Sequence, residues 1–496
     1  MEITTRNHPE YAFYKPEWDF FLQTYQGGQP YIDANLIQDV SESDESFGKR
    51  KLRAYRENYS ATLVDIVNSY LFKEPVNRKL PDDKLNDFFE NIDGQGGDID
   101  RFMQRASIFS SVMGRVYIAI DKPALAEEEK TNTRLDTLRT QPYAYIIFPQ
   151  NMQDVAFNKD GTVKWAITQE FERNDDDPFF SDGDVEKRYR VWVAGAWHLY
   201  DEKGALLDSG ETNMSRVPIV PLDTGEKLDA YNSPGLLYDI ARLDRSIFNN
   251  YSRLDSIVND QTFSQLIFPI QSLPMSEIME DANLRRQYLS LATNRVFFYD
   301  ASSEASPEYI SPDASQAQFV LDLIKHQIRQ LFGSLGMKAD TAEGLTPQSG
   351  VSKAYDFDKL NKLLSSKARN LEVVEYEIVR LFEEWNETTV LDEFETHYPE
   401  EFDIRSLSDE VILTQELALL NISKTFNTEV EKNLAHKALP RANKDKMDEI
   451  NKEIEDKYKN LSEEDEVFDF DNQKQSAKDK SNEMTQTKYQ LEKKFS

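Results

Sequence analysis

The chain has 496 residues, with 89 acidic against 58 basic side chains and a formal charge of −31. That balance argues against phosphate-backbone binding as a driving force, since such affinity comes from lysines and arginines that release counterions, or else it only keeps a soluble protein soluble; a nucleic-acid partner is compatible only with loose or local contact. There is no cysteine, which excludes disulfides, thiolate zinc sites and cysteine nucleophiles together. The apolar and aromatic content supports real cores, and the length suits two to four domains. No apolar run approaches the roughly 18 residues of a membrane span, and the start MEITTRNHPEYAF lacks the regions of a signal peptide. The expectation is a protein made and kept in the cytosol, or in an assembly built there, with no membrane partner.

In chain order, Trp18, Phe20, Phe21 and Tyr25 crowd a short helical run that ends at Gly27-Gly28. A polar loop, Ser41 to Ser46, precedes a helix in which Leu52, Tyr55, Tyr59, Leu63, Ile66, Val67 and Tyr70 share a face. A further helix, Ile99 to Met113, leads through Gly114 into an alternating strand at Val116, Ile118 and Ile120. Ala124 to Arg139 is charged and reads as a surface segment. The period then changes to two: Tyr143 to Phe148, Val163 to Phe171, Tyr189 to Val193 and Trp197 to Tyr200 read as strands. The acidic run Asp175 to Asp177, with Asp182 and Asp184, matches no EF-hand spacing and reads as a solvated loop.

Ser233 and Pro234 read as the cap and first residue of a helix with apolar positions at Leu237, Ile240, Leu243, Ile247, Tyr251, Leu254 and Val258. Ser311, Pro312 and Asp313 repeat that opening before Phe319, Val320, Leu323, Gln327, Leu331 and Leu335, with Gly336 as the stop. Between the two helices, Ser276 to Leu291 reads as a helix and Arg295 to Tyr299 as a strand. A loop containing Gly344, Pro347 and Gly350 then precedes a periodic run from Phe357 to Trp385. Unbroken, this is one helix of about 36 residues, about 54 Å long. Thr389 to Phe394 reads as a strand; Asp409 to Leu420, Asn427 to Lys437 and Lys444 to Leu461 read as helices. The remainder, from Ser462, is charged and short of apolar anchors.

No catalytic signature emerges. There is no G-x-x-x-x-G-K-[ST] loop, no HExxH pair and no G-x-S-x-G elbow. His8, His198, His326, His397 and His436 are scattered, and carboxylate pairs are too abundant to single out an acid/base dyad. These features predict no enzyme, no cofactor and no metal. One local feature runs against the overall charge: Lys353, Lys359, Lys362, Lys367 and Arg369 in the first half of the long helix. They form either a solvated face or a positive collar able to brush phosphates.

The stretches GRVYIAID (Gly114 to Asp121), QPYAYIIFPQNMQDV, DGTVKWAI, VPIVPL, SPGLLYDIARLDRSIFNNYSRL and SGVSKAYDFDKLNKLLSSKARNLEVVE (Ser349 to Glu375) occur in an order that resembles the portal proteins of tailed bacteriophages. The closest likeness is to the group with a wing, stem, clip and crown. It covers most of the chain and rests on the order of diffuse patterns. The fold it implies is α+β, with long stem and wing helices, a β-rich wing, a small α/β clip and a helical crown. The boundaries are a wing over 1–232, stem helices over 233–262 and 311–336, a clip over 263–310 and a tunnel loop over 337–352. A spine helix and strand follow over 353–402, then a crown over 403–461 and a disordered tail over 462–496.

The resemblance implies a dodecameric ring at one vertex of the virion capsid, assembled in the host cytoplasm. Its bore passes double-stranded DNA during packaging and ejection. The implied partners are the large terminase, a head-tail adaptor, and the major capsid and scaffolding proteins. In the tunnel loop it points to Lys338, Asp340, Gly344, Leu345, Pro347, Gly350 and Lys353 as residues of the DNA channel. In the clip it points to Met275, Glu277, Arg285 and Arg286 as the docking surface for terminase and adaptor. The charge of each copy, multiplied around a ring, would repel DNA so that it slides instead of sticking. Two other classes remain open to the sequence: a non-ring scaffold or adaptor, and a metal-dependent nucleic-acid enzyme.

Overall fold

The computed structural model describes residues 3–40, 42–122, 141–173, 179, 181, 183–225, 227, 230–261, 265–269, 296–299, 308–310, 315–337, 350–399, 402, 423–439 and 444–459. The chain is an α+β protein. It falls into two compact units, Met1–Phe402 and Asp403–Ser496.

The first unit opens with α1 (Tyr11–Gln26), which buries Tyr11, Trp18 and Phe21, and α2 (Gly28–Asn35), which buries Tyr31. The single helix expected through Leu52 and Tyr70 is instead two, α3 (Asp44–Arg53) and α4 (Tyr59–Leu71). The break has a polar cause. Arg56 lies in it, donating to the Thr24 carbonyl (2.9 Å) and pairing with the buried Asp244 (2.5 Å), while Asn58 caps α4 through the Ala61 N–H. Leu52, assigned to the shared face, is 89% exposed. Strand β1 (Asn77–Lys79) and helix α5 (Asp83–Glu90), neither of which the periodicity predicts, lead to α6 (Ile99–Met113), where the Asp98 side chain accepts from Arg101 N.

Two sheets follow. Strand β2 (Arg115–Asp121) lies between β3 (Tyr143–Ile147) and β9 (Ile219–Asp223), antiparallel to both. It is buried at all seven positions and not in the alternation its sequence suggests. The second sheet is a meander of β4 (Met152–Phe157), β5 (Val163–Arg173), β6 (Val185–Val193), β7 (Ala196–Tyr200) and β8 (Leu206–Glu211).

Helix α7 (Leu237–Gln261) leads to a small sheet of β10 (Gln265–Pro269), β11 (Val296–Tyr299) and β12 (Glu308–Ile310), in the order β11-β10-β12. Helix α8 (Ser315–Ser334) and the long α9 (Gly350–Asn386) complete the frame, with 37 residues in α9 spanning about 56 Å. Its face from Leu360 through Leu364, Ala368, Leu371, Val374, Ile378 and Leu381 is buried in the core. The strand expected at Thr389 to Phe394 is absent. Val390 N and Leu391 N both donate to the Glu383 carboxylate, which folds the chain back on α9. The strand is β13 (Glu395–His397), antiparallel to β1.

In the second unit, α10 (Lys424–Ala438) and α11 (Lys444–Lys459) form a hairpin. Lys432 pairs with Glu455, and Lys457 and Tyr458 with Glu431, a pairing that only antiparallel helices allow. Four expectations lie outside the described residues: the segment Ala124 to Arg139, the helices at Ser276 to Leu291 and Asp409 to Leu420, and the tail over 462–496. The cap Ser311 to Asp313 and the run Asp175 to Asp177 lie outside them too.

Candidate functional site

The antiparallel helix pair and its sheet are the feature the rest of the first unit positions. Gln265 pairs with Ile310 in the sheet, and Asn250 bonds to Gln327 (3.0 Å), so moving back along one helix moves forward along the other. Gln327 in turn donates to Ser246 (3.0 Å).

The root of the pair is held by backbone contact and buried charge. Helix α7 begins at Leu237, later than the Ser233-Pro234 cap predicts, because residues 233–236 are bound to the end of α6. Leu236 N donates to the Ser111 carbonyl (2.8 Å). Gly114 lies against Ser233 and Gly235 so closely that a Cβ would meet the Ser233 oxygen at 1.8 Å, and its φ of +89° also requires glycine. Next to this contact Arg115 binds Asp223 (2.6 Å) and the carbonyls of Ala230 and Tyr231. Along α7, Asp244 receives Arg56 and both the N–H and hydroxyl of Ser60. Asn249 accepts from Ile37 N and donates to the Asn35 carbonyl.

Burial falls along the pair. Leu237, Ile240, Ala241, Ile247 and Phe248 of α7 and Ile324, Ile328 and Leu331 of α8 are buried. Toward the sheet the apolar side chains open to solvent: Val258 is 49% exposed, Phe319 70% and Leu323 37%. Two amphipathic faces therefore run out of the body with part of their apolar surface uncovered within one copy.

Helix α9 carries the five cations of the expected collar, and the structure divides them. Lys359 is exposed and donates to the Ser334 carbonyl at the end of α8. Lys362 and Arg369 are exposed beside a polar groove of about 360 Å³ lined also by Asn361, Ser365, Ser366 and Asn370. Lys367 is not part of that face. It is buried, with its ammonium nitrogen 2.8 Å from Ser111 Oγ and 3.4 Å from the Ser107 carbonyl of α6. Burial alone lowers its pKa to about 7. The reason is periodicity: position 367 follows Leu364 by three and precedes Leu371 by four, which places it on the apolar stripe.

Of the predicted channel residues, Gly350 is the first residue of α9 and Lys353 lies in its first turn. Lys338, Asp340, Gly344, Leu345 and Pro347 lie outside the described residues, as do the clip residues Met275, Glu277, Arg285 and Arg286. Among the described residues no group of three His, Asp or Glu side chains could hold a metal, and no helix is long and apolar enough to cross a membrane. The residues that hold the root, Ser111, Gly114, Gly235 and Asp244, have no motif. Their only sequence signal is a pair of glycines at the ends of predicted elements. No protein-family model and no curated protein sequence matches this chain.

Proposed function

We propose that this chain is the protomer of a portal-type ring: a head-tail connector at a phage capsid vertex, through which DNA is packaged and ejected and on which terminase and tail adaptor dock. The observation that carries the reading is the uncovered apolar surface on the outer half of the α7–α8 pair, around Val258, Phe319 and Leu323. A closed ring of copies buries such stripes against one another, since a heterologous interface that closes leaves none exposed. The order of elements supports it further: two antiparallel helices carry a small sheet at their far end, and a helix of 37 residues follows. The charge of −31 suits a bore that must not hold DNA.

The test is the mass of the purified chain by light scattering, with negative-stain images of the same sample. A ring with a central hole, at about twelve times 57.5 kDa, is the expected outcome. A monomer or dimer at micromolar concentration overturns the reading and leaves a non-ring adaptor.

A further inference from the structure

The described residues contain one buried basic side chain without an acid partner, and it sits where three elements meet. Lys367 of α9 reaches Ser107 and Ser111 of α6, and Ser111 is also the residue whose carbonyl receives Leu236 N at the root of α7. Charged groups on the surrounding elements are engaged elsewhere. Asp65 of α4 accepts from Tyr25, Arg115 of β2 pairs with Asp223 of β9, and Asp121 of β2 pairs with Arg190. Asp244 of α7 pairs with Arg56, and Asp100 of α6 and Glu375 of α9 both pair with Arg78. On β13, Glu395 pairs with Lys79 and His397 is exposed, as are Arg101 and Arg105 of α6.

The amine has one acceptor at ordinary hydrogen-bond distance, Ser111 Oγ (2.8 Å); the Ser107 carbonyl is a longer contact (3.4 Å) that already accepts from the hydroxyls of Ser110 (3.0 Å) and Ser111. The Ser111 hydroxyl donates its own hydrogen bond to that same carbonyl (2.7 Å), so its lone pairs are left for the lysine. Adding a proton supplies a third N–H that no acceptor binds in this arrangement, since the buried Ser107 hydroxyl makes no bond to it, and the side chain is closed off from water. A desolvated, incompletely bonded charge is costly.

We propose that Lys367 is a proton-operated latch: neutral, it locks α9 to the last turns of α6 and so fixes the root of the helix pair; protonated, it loosens that joint. The joint adjoins the seam at which Gly114 meets Ser233 and Gly235 and is linked to it through Ser111, whose carbonyl holds Leu236 N, so loosening frees the start of α7 from the body. The lowered pKa of about 7 places the change within the ordinary range of cellular pH. The latch concerns the joint within one copy and does not depend on the ring reading.

The experiment is hydrogen exchange with mass spectrometry on the full chain from pH 9 to pH 6, corrected for intrinsic exchange, following peptides that cover 107–114 and 233–237. Opening of these peptides is expected to rise about tenfold per pH unit from pH 9 to about pH 7 and to level off below, because the opened lysine regains its ordinary pKa. Peptides of β5 and β6 serve as the reference and should not follow. Lys367→Met and Lys367→Leu should abolish the dependence, and Ser111→Ala should speed opening across the whole range. An unaltered chain whose 107–114 and 233–237 peptides show no such rise overturns the latch, and that readout needs no variant to fold. A Lys367→Met protein that keeps the same pH dependence overturns it as well.

Discussion

Gly114 and Gly235 meet backbone to backbone: a Cβ built on Gly235 would lie 2.7 Å from the amide nitrogen of Gly114. This contact joins the end of α6 and the start of β2 to the chain that enters α7, so its geometry sets where the helix pair leaves the body. Gly114→Ala combines a positive φ with a clash against backbone that cannot move aside, and should cost about 2–5 kcal/mol in urea denaturation. Gly48→Ala is the control. That glycine lies inside α3 with nothing within 4 Å of its Cβ position, so the change should stabilise by about 0.5–1 kcal/mol.

Asp244 and Arg56 are nearly fully buried. Asp244→Leu alone leaves the guanidinium without its partner and should cost about 3–5 kcal/mol, whereas the double replacement of Arg56→Met with Asp244→Leu should cost clearly less. A double-mutant cycle by denaturant unfolding measures the difference, and equal losses in the single and double variants would show that packing alone is at stake.

Glu375 is completely buried on α9 and takes both forks of Arg78 (2.7 and 2.8 Å), the Thr396 hydroxyl and the Tyr398 hydroxyl. It ties the long helix to β1 and to the chain around β13. Glu375→Gln should cost about 3–5 kcal/mol, and Tyr398→Phe, which removes one bond, about 1–2 kcal/mol. Thermal melting ranks the two; a reversed ranking would place the energy in the Tyr398 hydroxyl bond and not in the charge of Glu375.

Burial pushes the hydroxyls of Tyr11, Tyr25 and Tyr31 up to about 12 each. A raised folded pKa means stability that is whole below the unfolded value near 10 and is lost as pH climbs toward 12. The unfolding midpoint in urea should therefore fall between pH 10 and 12, and tyrosinate absorbance should rise together with unfolding. Ionisation of all tyrosines near pH 10 without loss of structure would contradict the burial of these three.

Phe319 and Leu323 lie on the uncovered part of α8. Replacing both with serine should change the stability of the isolated chain by no more than about 0.5 kcal/mol. If copies assemble through this face, the same pair of changes should lower the oligomer mass to that of a monomer, measured by light scattering. An unaltered ring mass would move the interface elsewhere.

The long helix was legible from the sequence because its determinant is local: apolar residues recurring from Leu360 to Leu381 at one period leave a chain only one conformation that buries them all. The α7 and α8 stripes and the strands β3, β5, β6 and β7 follow from the same kind of pattern, and together they determine an α+β chain with two helices around an insert. What the sequence could not decide depends on residues far apart in it. The break between α3 and α4 exists because Asp244, on another helix, draws Arg56 out of helical conformation. The late start of α7 exists because Gly114 leaves room for Ser233. Lys367 looked like one cation of a surface collar, though its spacing from Leu364 and Leu371 marked it as inward. Only the packing of α6 against α9 showed that no carboxylate among the described residues waits there, because a pairing partner is a property of neighbouring elements and not of the stretch that carries the charge.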